Sequence, residues 1–154
     1  MLSALEEFTG CTCVPSNNTK DLPTYPYISF NVINTKTRKG TYAAVEGVLV
    51  MPALQTWSFT VQSDDDTEAL AKAMLIVDFF EEAKRQYLAD NDIIVADVGG
   101  ITPRDTLLTI EYEYRKGVDV KLRLNNVIED TTTETIESVA LTSDTVGAIE
   151  LEKE

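Results

Sequence analysis

The longest run of acidic residues, Asp64-Asp65-Asp66, is the part of the sequence that most resembles a metal-binding or acid–base site. Three consecutive side chains point in different directions, however, and a hard cation would need further oxygen ligands in a fixed geometry. The run also lies directly before a segment with helical periodicity, where a carboxylate caps free backbone N–H groups and interacts favourably with the helix dipole. We therefore expect Asp65 to cap a helix, and we expect no bound metal ion or other cofactor.

The other residues with chemical potential are two cysteines and a few charged pairs, and the chain has no histidine to act as a general base. Cys11 and Cys13 would share one face of an extended segment but lie too far apart for an easy disulfide, and they lack the further ligands of a zinc site. The pairs Arg104-Asp105 and Arg115 with Asp119 are typical of surface charges at strand ends and turns. The sequence therefore predicts a protein without catalytic residues.

The acidic composition excludes several classes of partner. Twenty-six acidic and thirteen basic residues give the 154-residue chain a net charge of −13, and its Lys and Arg residues are scattered. Such a surface repels the phosphates of nucleic acids and the headgroups of an anionic membrane. No apolar run approaches the ~20 residues of a transmembrane helix, and the first residues lack the basic segment of a secretory signal. We expect a protein that is made and used in the cytosol, or that travels in something assembled there.

A long amphipathic helix is the best-defined element of the sequence. Apolar residues recur every three or four positions from Ala69 to Tyr87, which predicts a helix over about 66–89. Asp65 and Glu68 resemble a capping box at its start.

Leu75 and Phe79 widen the apolar stripe of this helix beyond what one sheet requires. A short amphipathic helix is predicted over residues 2–8, ended by Gly10. Leu75 and Phe79 either cover the flank of this N-terminal helix or contact a second subunit.

Several segments have the alternation and the β-branched or aromatic content of strands. They cover residues 11–14, 27–33, 56–62 and 92–98. Residues 35–40 are polar and predict a turn, whereas residues 41–51 fit a strand or a buried loop, and we expect Pro52 to interrupt that segment.

The segments Thr106–Tyr114 and Val118–Ile128 predict a β-hairpin. Alternation puts Glu111 and Glu113 on the polar face of the first strand, and Val118, Val120, Leu122 and Leu124 on the apolar face of the second. Only a loop with an odd number of residues matches apolar with apolar positions across it. A three-residue loop, 115–117, would put Gly117 at the left-handed position of a bulged turn. A five-residue loop, 115–119, would pair the acidic positions of one strand with the basic positions of the other.

Together these elements predict one α/β (α+β) domain over residues 1–128. Its sheet is mixed and mostly antiparallel, and the main helix packs on it with the short N-terminal helix. Residues 129–154 form an acidic extension with eight acids and one lysine. The extension is too apolar for a merely solvating tail, so it could add a strand to an edge of its own subunit or of a neighbour; its aliphatic residues are Ile136, Val139, Leu141, Val146, Ile149 and Leu151.

Three blocks of sequence resemble a known family. They are Tyr-Pro-Tyr-Ile-Ser-Phe at 25–30, Trp-Ser-Phe-Thr-Val-Gln-Ser-Asp at 57–64, and Pro-Arg-Asp at 103–105 followed by Glu-Tyr-Arg-Lys-Gly-Val-Asp-Val-Lys-Leu-Arg at 113–123. In this order and spacing, over about residues 23–128, the chain resembles bacteriophage neck and tail-terminator (tail-completion) proteins.

The resemblance implies a non-enzymatic structural protein of the virion, assembled in the cytoplasm of the host bacterium. Members form a ring, commonly a hexamer, that caps the head-proximal end of the tail tube and binds neck and head-completion proteins while DNA passes through. Arg115, Lys116 and Asp119, together with Leu75 and Phe79, are then candidates for contacts between subunits or with the tube. The alternative is a monomeric adaptor that binds its partner by strand addition, through the Trp57 region or residues 136–151.

Overall fold

The computed structural model describes residues 1–45, 48–108 and 111–129. Its helices are α1 (Leu2–Thr9), α2 (Asp66–Asp78) and α3 (Arg85–Asp90), and a π-helical turn (Phe79–Ala83) follows α2. Its strands are β1 (Thr12–Pro15), β2 (Tyr27–Arg38), β3 (Ala43–Val45), β4 (Val48–Ser63), β5 (Ile93–Val98), β6 (Thr102–Pro103), β7 (Thr106–Leu108) and β8 (Glu111–Glu129).

The strands form a mixed sheet in the order β1-β2-β4-β8-β5. The β1–β2 pair is parallel, and the other described pairs are antiparallel. Both the predicted fold class and the four predicted strand segments are confirmed. The short strands β6 and β7 pair with β8, so β8 pairs with more strands than any other strand that the structure describes.

Local signals at the helix ends explain why the helical segments begin and end where they do. The Asp65 carboxylate accepts a hydrogen bond from the Glu68 N–H at 2.8 Å, as expected for the N-cap. The Glu68 side chain accepts a hydrogen bond of 2.6 Å from the Ser63 hydroxyl, which in turn accepts the Asp65 N–H at 3.2 Å. The capping box therefore closes through Ser63. Gly10 ends α1 in the left-handed conformation, with φ of 69°.

The hydrophobic core lies between one face of the sheet and the helices. The sheet contributes buried side chains at alternate positions of its central strands: Ile28, Phe59, Val61, Val118, Val120 and Leu122. The helices contribute Leu5, Ala69, Ala73, Ile76, Phe79, Phe80 and Leu88. Burial of each larger side chain stabilises the fold by about 1.5–3 kcal/mol. None of the described helices is both long enough and apolar enough to cross a membrane.

The hairpin predicted at residues 115–119 is wrong. Residues 111–129 form one continuous strand that pairs with β4 from Val48↔Glu129 to Ser63↔Tyr114. Strand β7 pairs instead with the beginning of β8, antiparallel, with Leu108 opposite Glu111. The alternation of Val118, Val120 and Leu122 on one face was predicted correctly, since a continuous strand and a hairpin with an odd loop both preserve it.

Pro52 does not interrupt the sheet, and the turn predicted at 35–40 is also wrong, because β2 continues to Arg38. The Pro52 carbonyl accepts the Lys39 N–H at 3.2 Å, on the side where β2 ends. In an antiparallel strand the N and C=O of one residue face the same neighbour. The missing N–H of Pro52 therefore faces away from β8, and no hydrogen bond of the β4–β8 pair is lost.

Candidate functional site

Polar side chains of neighbouring strands lie side by side on the face of the sheet opposite the helices. Because successive residues of a strand point to opposite faces, the positions between the buried core residues meet on this second face. The register pairs Ser58 with Asp119, Thr60 with Gly117, and Gln62 with Arg115. We refer to these residues, together with Tyr25, Arg104, Asp105, Glu113 and Lys116, as the polar network.

Arg104 connects the loop after β6 to the centre of the sheet. Its guanidinium donates hydrogen bonds to Ser58 at 2.7 Å, to Thr60 at 3.0 Å and to the Asp119 carboxylate at 2.9 Å. Its backbone N–H donates to the Arg115 carbonyl at 2.7 Å. One side chain thus holds β4, β8 and the loop together.

Gly117 provides the space that this arrangement needs. A β-carbon at residue 117 would overlap the Nε and Cζ atoms of Arg104. Among the described glycines only Gly10 and Gly40 have a positive φ. Gly117 is therefore required for close approach of a side chain to the backbone, and the left-handed turn position predicted for it is wrong.

Glu113 forms a second centre of the polar network. Its side chain is only 4% exposed, forms an ion pair with Arg115 at 2.5 Å, and accepts a hydrogen bond of 2.9 Å from the Tyr25 hydroxyl. Partial burial, followed by the hydrogen bond to Glu113 and the negative charge of Glu113, raises the pKa of Tyr25 to about 12. A buried carboxylate is costly unless it is paired, and Glu113 is paired on both oxygens.

Lys116 lies on the helix side of β8 and ties the network to the beginning of α2. Its ammonium group contacts Asp66 at 2.6 Å and Asp105 at 3.1 Å. The hydrogen bond to Asp66, and then the bond to Asp105, raises the pKa of Lys116 against the effect of burial. Asp105 also accepts the Arg115 N–H at 2.8 Å, and this bond contributes most to lowering the pKa of Asp105.

The charged side chains of the polar network bind one another through hydrogen bonds and ion pairs, and so hold the loop after β6 against the sheet. Burial alone would raise the pKa of Asp119, but hydrogen bonds from Ser58 and Arg104 outweigh it and lower the pKa. Asp119 and Asp105 are therefore ionised and paired at neutral pH, and neither is poised to donate a proton. Within the described ranges no three Asp, Glu, Cys or His side chains are grouped as metal ligands would be.

Cys11 lies between α1 and β1, and Cys13 lies in β1. Burial raises the pKa of both thiols and is the largest cause in each; for Cys13 the value is about 12, with Glu6 adding to it. Neither thiol is a significant thiolate at neutral pH, so neither has the property of a nucleophilic cysteine.

A shallow groove of about 410 Å³ runs along the polar network beside the loop that follows β1. Its walls include Arg104, Arg115, Thr60 and Gln62. The Gln62 amide nitrogen donates to Ser29 at 2.8 Å, while its buried oxygen accepts no hydrogen bond from the described residues. Arg104 and Arg115 are already paired with the carboxylates of Asp119 and Glu113. Neither arginine therefore offers an unpaired positive charge to an anionic ligand in this groove.

The structure separates the predicted contact residues into two groups. Arg115, Lys116 and Asp119 belong to the polar network, in mid-strand and not in a turn. Leu75 and Phe79 lie in the helical layer, on the side of the sheet opposite Arg115 and Asp119. Phe79 is 0% exposed and its ring packs against Phe8, with centroids 5.7 Å apart, which favours the alternative that it covers the N-terminal helix. Leu75 is half-buried.

The sequence did not single out Tyr25, Ser58 or Thr60 as partners in one network. The sequence nevertheless indicated two of the segments that form the network. The Pro-Arg-Asp run at 103–105 and the run at 113–123 are among the stretches on which the family resemblance rests. The structure places these two runs against each other, through the contacts of Arg104 with Asp119 and of Asp105 with Lys116.

A comparison with models of protein families matches residues 1–149 to the family described as phage neck terminator protein. The match is longer than the 23–128 over which the sequence blocks showed a resemblance, and it includes α1 and most of the acidic segment. A comparison with curated proteins finds no match.

Proposed function

The chain belongs to the phage neck terminator protein family, and from this premise we propose that it forms a ring, as a hexamer, that ends the tail tube at its head-proximal end. Membership makes it a structural component of the virion that takes part in neck assembly with other virion proteins. The ring would bind the tail tube protein on one side and neck or head-completion proteins on the other. The observation that carries the proposal is the family match over almost the whole chain.

The charge of the chain supports a role beside moving DNA. Six copies, each with a net charge of −13, would give the ring a net charge of −78 around the channel. Like-charge repulsion would keep DNA from adhering to the wall as it passes. The proposal requires part of this acidic surface to face the channel.

The polar network supports a role without catalysis. Its arginines and carboxylates are paired with each other, as Arg104 is with Asp119 and Arg115 with Glu113. Together with the hydrogen bonds from Arg104 to Ser58 and Thr60, such pairs fix the loop after β6 against β4 and β8. A rigid sheet face suits a subunit that must present the same contact surfaces in every copy of a ring. Assembly of the ring would take place in the cytoplasm of the host bacterium.

Electron microscopy of the purified protein mixed with isolated tail tubes tests the proposal. We expect a ring with a central opening at one end of each tube, and arrest of further growth when free tube protein is added. Binding along the sides of tubes, or a single copy for each tube end, would contradict the ring and favour the monomeric adaptor. Because assembly can depend on the tube, a monomer observed in its absence is not the deciding result.

A further inference from the structure

We propose that neighbouring copies contact each other head to tail, with the basic end of the sheet of one copy bound to an acidic-rimmed apolar groove beside α2 of the next. The inference rests on the proposed ring and names the two surfaces that would close it. We call the first surface the β-arm; it comprises residues 34–45, 48–54 and 123–129. We call the second surface the α2 groove; it comprises Met74, Val77, Asp78, Glu81 and residues 98–101.

The β-arm extends beyond the main cluster of the hydrophobic core. That cluster ends at Leu122 on β8 and at Trp57 on β4, yet the two strands continue in register to Val48↔Glu129. Within the arm, Met51 and Ala53 on β4 are also buried. Near this end Val127 is 56% and Ile128 42% exposed. Aliphatic side chains exposed on both faces of a long sheet extension are expected where another surface covers them.

The β-arm is also basic in a chain that is otherwise strongly acidic. Its residues include Lys36, Arg38, Lys39 and Arg123 but only one acid, Glu129. Lys36 and Lys39 are exposed. Arg38 lies over the ring of Tyr42 at 5.7 Å. This segment thus offers apolar contacts surrounded by positive charge.

The α2 groove has the opposite character. It has a volume of about 340 Å³ and lies between α2 and the loop after β5. Met74 in its wall is 53% exposed, in a position where a solvated helix normally carries a polar residue. Asp78 and Glu81 form an exposed acidic rim. An apolar floor with an acidic rim fits an apolar partner with basic residues around it.

The exposed apolar end of the β-arm cannot reach the α2 groove of its own copy. Val98, in the groove, pairs with Val120, whereas the exposed end of the β-arm begins seven residues further along β8 at Val127. At ~3.3 Å per residue the two places are separated by roughly 20 Å along the sheet. A contact between the two surfaces therefore joins different copies, and a contact between two different patches repeats around a closed ring.

Charge reversal on each surface tests the inference. The arm variant carries Lys36→Glu with Lys39→Glu, and the groove variant carries Asp78→Lys with Glu81→Lys. Each variant alone places like charges at the contact, so we expect at least about a tenfold rise in the protein concentration needed for ring assembly, with or without tail tubes. An equimolar mixture restores opposite charges at every contact of an alternating ring, so we expect it to assemble as the wild type does.

Control variants carry the same number of reversals outside both surfaces. Lys20→Glu with Arg85→Glu matches the arm variant, and Glu7→Lys with Glu82→Lys matches the groove variant; all four positions are exposed. Assembly is followed by sedimentation velocity and by imaging of tube ends, and folding by thermal melting. The controls are expected to assemble normally.

The possible results separate the inference from the proposed function. A wild-type ring together with normal rings from both reversal variants, or a mixture that fails to assemble, would overturn the head-to-tail contact and leave the ring intact. A wild-type protein that forms no ring, alone or on tubes, would overturn both. Rings from the mixture alone, with neither variant assembling separately, would establish the contact.

Discussion

Arg104 crosses the sheet directly over Gly117, at a place where a β-carbon would overlap its guanidinium. The two residues come from the Pro-Arg-Asp run and from the Glu-Tyr-Arg-Lys-Gly-Val-Asp run, which lie in separate blocks of the sequence. Their contact explains why a glycine occupies the middle of the longest strand. It also ties the loop after β6 to β4, since the same guanidinium reaches Ser58 and Thr60.

Gly117→Ala should destabilise the fold, because the new methyl group displaces Arg104 from its hydrogen bonds. We expect a loss of about 1–3 kcal/mol in the free energy of unfolding, measured by urea denaturation. The loss should be smaller when Arg104→Ala is already present, since the space is then free; this coupling is the direct test of the contact.

Gly100→Ala is the matched control for this experiment. A β-carbon at residue 100 meets no atom within 4 Å, so the free energy of unfolding should change by less than about 0.5 kcal/mol. If Gly117→Ala lowered the free energy of unfolding equally in the wild type and in the Arg104→Ala background, the role given to Gly117 would be contradicted.

The elements that the sequence predicted well are those whose signals are local. The cap at Asp65, the end of α1 at Gly10 and the alternation of Val118, Val120 and Leu122 depend on neighbours in the chain. The helix predicted over 66–89 has the right position, although Lys84 leaves the helical conformation between the π-helical turn and α3.

The errors arose where a distant residue decides the local structure. Arg115-Lys116-Gly117 has the composition of a turn, and only the approach of Arg104 shows why Gly117 belongs in a strand. Pro52 is tolerated because its missing N–H lies on the side where β2 ends, which depends on where another strand stops. Glu113 was predicted on a polar face, but its burial depends on Tyr25, far away in the sequence.

Tyr25→Phe should change the stability of the protein at high pH. The pKa of Tyr25 is raised from 10.0 to about 12 in the folded protein. Because the folded state holds this proton more tightly, its contribution to stability is complete below pH 10 and is lost as the pH rises from 10 towards 12. The wild type should therefore lose more stability than the phenylalanine variant between about pH 9 and about pH 11. Parallel loss in both proteins, measured by urea denaturation, would argue against the hydrogen bond to Glu113.

Asp105→Asn probes the acid side of the pH range. The pKa of Asp105 is lowered below 3.8, first by the hydrogen bond from the Arg115 N–H and then by Lys116. The ionised carboxylate therefore stabilises the fold above its ordinary pKa, and the contribution is lost as the pH falls below that value. The asparagine variant should be less stable at neutral pH, and the difference should shrink in acid. Asp21→Asn, in an exposed loop, provides the control.

Phe79→Glu should unfold the protein rather than merely weaken assembly. Phe79 is fully buried between Phe8 and Phe80, so the change removes a core ring and buries a carboxylate without a cation. We expect a loss of at least about 4 kcal/mol in the free energy of unfolding.

Met74→Glu, five residues earlier on the exposed face of α2, is the contrast. It should change the free energy of unfolding by less than about 0.5 kcal/mol while impairing ring assembly. A stable monomeric Phe79→Glu protein would show that Phe79 is an assembly contact after all.

Asp65→Ala tests whether the acidic run serves the helix and not a ligand. The Asp65 carboxylate accepts the Glu68 N–H at 2.8 Å, so its removal should cost about 1 kcal/mol in the free energy of unfolding. Asp64→Ala, one residue earlier and exposed, removes the same charge without a capping bond and should cost far less. Asp65→Asn keeps an oxygen acceptor in the same place, so it should retain most of the stability if the hydrogen bond matters more than the charge. Equal losses from Asp64→Ala and Asp65→Ala would instead indicate a general effect of negative charge near the positive end of the α2 dipole.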